Sequence, residues 1–337
     1  MNWTDYLGFN PATDAGWIPP DERTSAMALV HERMMSRTPL FGDLVPTTGA
    51  PEWALMTYLE LKHFKRPLWR IHQLTGSCVG AGGARAYGQA IVGDLEYRGD
   101  NEAIEPMFPW ATYGQGRQMG GLRGRGDGSF GAAQAEAVEQ WGMLRGSDPR
   151  APQPTDRNGW LSWTKNIELD WSWPPGWREK IPKADAQQYA IGDIVRIKSS
   201  DEAADVISRG YAITQASSFG SRGPRLTNGV MLAKWDSSWA HQMSTDGYAT
   251  HPQLGRIWKI DNQWGRDAHP PCPYFQGLVA KWCEELRITD VPTVGGSLWI
   301  DDWDYDKICR NGEVFGHAAT KGFDPRPPFS WDASILI

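Results

Sequence analysis

Cys78 stands directly ahead of a glycine-rich run, "TGSCVGAGGARAYG", residues 75–88. A small residue before glycines suits a phosphate loop, a packing device or the seat of a nucleophile. A phosphate loop needs G-x-x-x-x-G-K-[ST], or a strand, a G-x-G-x-x-G turn and an acidic residue for a ribose. Neither pattern is present. If a helix starts at Cys78, its unpaired N–H groups and dipole stabilise a thiolate, the reactive form. Otherwise Cys78 is a small buried apolar residue, as free cysteines usually are.

Two distant stretches bear on that choice. "SSWAHQMSTDGY" puts His241 near the start of a strand candidate. "GRIWKIDNQWG" puts Asn262 at the end of the next one, ahead of Gln263, Trp264 and Gly265. A thiol, an imidazole and an amide are the parts of an acyl-transfer triad: nucleophile, base and orienting group. Taken singly, the histidine reads as a satisfied core or surface residue and the asparagine as a turn.

In the order Cys, His, Asn, the stretches "GSCVG", "WAHQM" and "NQWG" resemble the papain-like cysteine peptidases. The resemblance runs from about Arg70 to Ala319, except for a Trp-rich insertion. The flavour of "SCVGAG", "GRGDGS" and "WAHQM" is that of bacterial and bacteriophage members. It implies an α+β, papain-like two-lobe fold, a helical lobe followed by an antiparallel β lobe. It implies Cys78 as nucleophile, His241 as base and Asn262 as orienting residue. Gly128 and Ser129 would lie along a cleft for an extended polypeptide substrate. Trp264 would shield the His–Asn bond or simply pack. The Cys78 pKa is expected well below that of a free thiol. No cofactor and no metal are implied. Partner proteins in a phage particle or other large assembly are the alternative use of the same fold.

The departures are specific. The oxyanion-hole glutamine of the family lies six residues before the cysteine; here that position is His72, and Gln73 lies five before. Gln73 is the preferred donor, because an amide donates at every pH whereas histidine depends on its tautomer. Thr75 replaces a family cysteine, so that disulfide is absent. Gln263 replaces a serine, and no inhibitory pro-segment pattern is evident before Cys78.

These residues need elements to carry them. Val79 to about Val92 reads as a helix whose glycines allow close backbone approach. "TSAMALVHERMM" and "GDGSFGAAQAEAVEQWGM" are further helices, the second capped by Asp127 or Ser129. In "SSDEAADVISRG", Ser199 and Glu202 form a capping box. "YAITQASS", "HQMSTDGYAT", "GRIWKIDN" and "GSLWI" read as strands, and "DWDYDKICRNG" as a last helix. Helices early and strands late argue α+β. The expected organisation is an extension (1–50), a helical lobe with the nucleophile (51–145), a Trp/Pro-rich insertion (146–185) and a β-rich lobe with His and Asn (186–337). Residues 51–77 are expected to wrap the surface.

Composition narrows the rest. The chain has 337 residues and a net charge of -6, with no basic stripe for nucleic acid. No apolar run approaches the ~20 residues of a membrane span. No secretory signal opens the chain, so a bacterial cytoplasm or a virion is the expected location. Four cysteines fit a reducing compartment. "RGD" at Arg125–Asp127 reads as a turn, and His269 with Cys272 lack a second pair for metal. Trp3, Trp17, Trp160, Trp163, Trp171, Trp173 and Trp177 lie on the extension and insertion, which are expected to serve docking.

Overall fold

The computed structural model describes residues 16–46, 49–122, 124, 126–172, 192–319 and 326–331. Trp3, Trp173, Trp177 and Arg125 of the RGD triplet lie outside the described residues.

The helices are α1 (Ser25–Arg37), α2 (Phe41–Leu44), α3 (Met56–Phe64), α4 (Cys78–Arg98), α5 (Pro109–Met119), α6 (Gly131–Trp141), α7 (Lys165–Trp171), α8 (Ser200–Ser208), α9 (Pro273–Glu285) and α10 (Asp302–Asn311). The strands are β1 (Trp53–Leu55), β2 (Arg70–His72), β3 (Met107–Phe108), β4 (Leu144–Arg145), β5 (Thr155–Arg157), β6 (Trp160–Ser162), β7 (Asp193–Arg196), β8 (Ala212–Gly220), β9 (Arg225–Thr227), β10 (Val230–Ala233), β11 (Ser237–His251), β12 (Gly255–Asp261), β13 (Ser297–Asp301) and β14 (Glu313–Ala318).

Among the described residues the main sheet runs β7-β14-β8-β11-β12-β13-β10-β9, with β1 added on β11. Its pairings are antiparallel except β10 with β13. β11 is its long spine. One apolar cluster joins this sheet to α3, α8, α9 and α10; a second joins α4, α5 and α6 to Trp17, Met34, Trp163 and Trp171. This is the α+β, two-lobe arrangement expected. No described helix is long and apolar enough to cross a membrane.

α4 lies between the lobes, and its glycines let it. A Cβ on Gly80 would sit 2.6 Å from Tyr113 of α5, and one on Gly93 would sit 1.7 Å from the Gly210 carbonyl. Gly82 packs on the β11 backbone, where a Cβ would meet the Gln242 carbonyl at 3.2 Å. Cys78, four residues earlier, therefore faces the same strand.

Several local readings change. Residues 51–77 do not wrap the surface: β1 and most of α3 are buried. α6 starts at Gly131 after Phe130, with no side-chain cap from Asp127 or Ser129. α9 interrupts the β-rich half. Ser199 caps α8 as expected, but the Glu202 side chain reaches back to the Lys198 N–H instead. Trp17, Trp160, Trp163 and Trp171 are buried within this chain, so their rings serve its own packing.

A buried charge network braces the lobes beside the site. Arg85 of α4 meets Glu60 at 2.6 Å, Asp261 at 2.9 Å and Asp246 at 3.5 Å. Lys259 meets Asp261 at 2.8 Å and Asp246 at 3.2 Å. Arg70 adds a third contact to Asp261 at 3.3 Å. Burial alone raises the Asp261 pKa, but Arg70, Lys259 and Arg85 hold it well below the usual carboxylate range.

Candidate active site

Sheet register brings His241 and Asn262 together. β11 and β12 pair with Ser244 opposite Asp261. Extending that register puts Asn262 opposite Met243, so His241, two residues on, is its same-face diagonal neighbour. The His241 Nε2–H donates to Asn262 Oδ1 at 2.9 Å. The Asn262 Nδ2 donates to His269 Nε2 at 2.7 Å. Among the described residues His241 Nδ1 is buried without a hydrogen-bond partner. It is the basic atom of this tautomer.

Trp264 covers the pair. Its ring stacks on His241 at 4.8 Å and 27°, and Trp239 meets it edge-on at 4.8 Å. Gly265 then turns with φ +98, and its missing Cβ leaves room for the His72 ring.

Cys78 is the first residue of α4, and its Sγ accepts the Gln242 N–H at 3.3 Å. The thiol is thus bonded by the residue following His241. Gln73 is fully buried: its N–H donates to the Gln263 carbonyl at 2.9 Å, and its Nε2 donates to the Thr75 carbonyl at 3.0 Å.

The chain's own N-terminal segment lies across Ser129 and the strand that carries His241. Ser129 N–H donates to Gly16 O at 2.8 Å, Ile18 N–H to Ser129 O at 2.7 Å, and Trp17 N–H to Ala240 O at 3.0 Å. Trp17 and Ser129 form a parallel bridge. The Gly16 backbone also acts on the Cys78 sulfur, favouring its charged form. Arg23 anchors the strap, bonding Ile18 O and Glu313 while its guanidinium lies 4.7 Å from the Phe130 ring. Gly128, at φ +88, packs on Ile18 and donates to the Gly76 carbonyl at 3.0 Å. Gly128 and Ser129, expected to line a substrate cleft, here lie along a segment of the protein's own chain. The sequence disclosed no inhibitory pattern here, because the contacts are main-chain bonds.

The cover decides the electrostatics. Burial pushes the Cys78 thiol up to about 12, against the Gln242, Gly16 and Val79 backbones. Burial lowers His241 to about 4, against the Asn262 bond. The expected neutral-pH thiolate is therefore not held in this covered form; desolvation outweighs the helix terminus.

Sequence reasoning missed two residues here. His269 was weighed as a metal ligand, yet its Nε2 is spent on Asn262. Glu168, inside the insertion, gave no signal at all. Its carboxylate accepts from Leu74 N, Thr75 N, Thr75 Oγ1 and Ser77 Oγ, just ahead of Cys78.

The fold has solved counterparts. Procathepsin B S9 from Trypanosoma congolense is similar at 12% identity over 96% of this chain and 89% of that one, with a TM-score of 0.51. Xylellain, a cysteine protease from Xylella fastidiosa, is similar at 14% identity over 90% and 91%, with a TM-score of 0.49. The bromelain protease from Ananas comosus, in complex with the E64 inhibitor, is similar at 12% identity over 80% and 99%, with a TM-score of 0.46. No family model and no curated protein matches the sequence. The chain has a papain-like fold, that of cysteine proteases.

Proposed function

We propose that this chain is a papain-like cysteine peptidase in a covered resting form, with Cys78, His241 and Asn262 as its triad. The observation that carries the reading is the His241 imidazole. It is oriented by Asn262, roofed by Trp264, basic at Nδ1, and carried on the strand whose next N–H bonds the Cys78 sulfur.

The chemistry follows from these positions. Withdrawal of the Gly16–Ile18 strap admits water and removes the desolvation that keeps the thiol protonated. His241 Nδ1 then accepts the Cys78 proton. The thiolate attacks the peptide carbonyl carbon, and the oxyanion takes hydrogen bonds from the Cys78 N–H and the Gln73 amide. The C–N bond breaks, and the leaving amine takes the proton from His241. Water, deprotonated by His241, attacks the thioester; cysteine leaves as thiolate and the acid product departs. Ser129, freed from Gly16 and Ile18, offers its main chain to the extended substrate.

Hydrolysis of a fluorogenic peptide amide by the chain with its strap lifted, as in Gly16→Ala, tests this. Cys78→Ala and His241→Ala should each abolish turnover while far-ultraviolet circular dichroism is unchanged. Parent-rate turnover by Cys78→Ala would make the assignment wrong.

A further inference from the structure

The segment between β2 and the nucleophile carries the proposed oxyanion donor Gln73 at one end and the start of α4 at the other. It has no disulfide to hold it, since Cys78, Cys272, Cys283 and Cys309 are all free. Its polar groups are nevertheless almost fully engaged. The Gly76 carbonyl accepts from Tyr113 Oη at 3.0 Å and from Gly128 N at 3.0 Å. The Thr75 carbonyl accepts from Gln73 Nε2 at 3.0 Å and Ser77 N at 2.8 Å.

The donors converge on one atom group. Glu168 Oε1 accepts Leu74 N at 2.9 Å. Glu168 Oε2 accepts Thr75 N at 3.1 Å, Thr75 Oγ1 at 2.9 Å and Ser77 Oγ at 2.8 Å. Ser77 precedes α4 but makes no side-chain cap to it; its hydroxyl goes to Glu168 instead. The carboxyl is fully buried, and among the described residues no lysine or arginine is within ion-pair distance. Burying a carboxyl without a counter-ion is unfavourable unless hydrogen bonds offset it. Here hydrogen bonds from four donors offset that cost and tie the carboxyl to the chain just ahead of Cys78. Every atom it holds lies in the four residues before Cys78.

We propose that Glu168 is a positioning residue for acyl transfer: its carboxyl clamps Leu74, Thr75 and Ser77, and so sets Gln73 and the Cys78 N–H in register around the oxyanion. The inference rests on the cysteine-peptidase reading above. Through Glu168 the insertion that carries α7 then belongs to the catalytic apparatus. A misplaced oxyanion hole weakens transition-state binding and leaves ground-state binding nearly intact.

The test uses the full-length chain with a fluorogenic peptide amide. Glu168→Ala should lower kcat by roughly 30-fold or more with KM within about threefold of the parent. Glu168→Gln, which keeps an acceptor for Thr75 N but sets an amide N–H against the Leu74 N–H, should recover part of kcat. Glu168→Asp, one methylene short, should lose roughly tenfold, and it carries the test if Glu168→Ala does not fold. Parental kcat in Glu168→Ala or Glu168→Asp overturns the clamp and leaves the peptidase reading intact. Absence of any Cys78-dependent hydrolysis by both the parent protein and the strap-lifting variant Gly16→Ala overturns the peptidase reading. The clamp is then judged by iodoacetamide alkylation of Cys78. An unchanged rate in Glu168→Ala overturns it too, and a several-fold change sustains its hold on the segment.

Discussion

The Asn262 amide nitrogen lies 2.7 Å from His269 Nε2, so the proposed orienting residue is itself oriented by a second imidazole. With Nδ2 on His269, Oδ1 faces His241, which in this arrangement carries its proton on Nε2. Burial lowers the His269 pKa to about 3, with the His241 charge acting in the same direction, which keeps it neutral as an acceptor. His269→Ala should lower kcat by roughly tenfold, with KM little changed. Steady-state kinetics checks this; an unchanged kcat would mean that packing alone fixes Asn262.

The strap can be dislodged by one methyl group. A Cβ on Gly16 would fall 1.9 Å from the Gly76 carbonyl oxygen, a backbone atom that cannot yield. Gly16→Ala should therefore lift the strap and speed iodoacetamide alkylation of Cys78 by roughly tenfold or more at about pH 7. The pH dependence should differ as well. In the parent, a thiol near about 12 and an imidazole near about 4 leave both groups neutral between those values. Its alkylation rate should climb steadily with pH, whereas Gly16→Ala should show a plateau at neutral pH from the thiolate–imidazolium pair. Identical profiles would mean that the strap does not control the thiol.

How much of this was legible beforehand depended on what each contact is made of. Cys78, His241, Asn262 and Trp264 stood out by residue type and order, and the glycines of α4 implied the close packing that Gly80 and Gly93 show. The α+β order followed from hydrophobic periodicity. The strap did not, because Gly16, Trp17 and Ile18 act through main-chain bonds that any sequence can make. Glu168 was hidden because its partners lie more than ninety positions earlier in the chain and are equally common residue types. α3 and β1 were misplaced because Met56 to Leu61 are buried around most of the helix, which blurs the period.

Asp246 should matter for stability. It takes Thr57 Oγ1 at 2.9 Å, Gln89 Nε2 at 3.1 Å and Lys259 Nζ at 3.2 Å, all buried. Asp246→Ala leaves Lys259 and Arg85 short of an anion in the interior. The expected loss is about 3–5 kcal/mol, read from urea unfolding. A loss below about 1 kcal/mol would mean that the network rearranges freely.

Glu168 should leave its own signature in stability against pH. Burial raises its carboxyl to about 7, against bonds from Ser77, Thr75 and Leu74. The folded state therefore keeps a proton that the unfolded state has released. The stabilisation this gives is full below the unfolded value and is lost as pH rises through about 7. Lowering the pH from about 8 to about 5 should stabilise the parent over Glu168→Gln by up to ~3 kcal/mol. Parallel stability curves for the two proteins would contradict this environment for Glu168.

The most direct test of the central claim is covalent labelling of the full chain, its strap lifted by Gly16→Ala, with an epoxysuccinyl peptide, followed by peptide mapping. A cysteine peptidase with this triad takes up a single label, on Cys78, and His241→Ala loses it. Labelling of Cys272, Cys283 or Cys309 in preference to Cys78, or equal labelling of Cys78 in His241→Ala, would contradict the account.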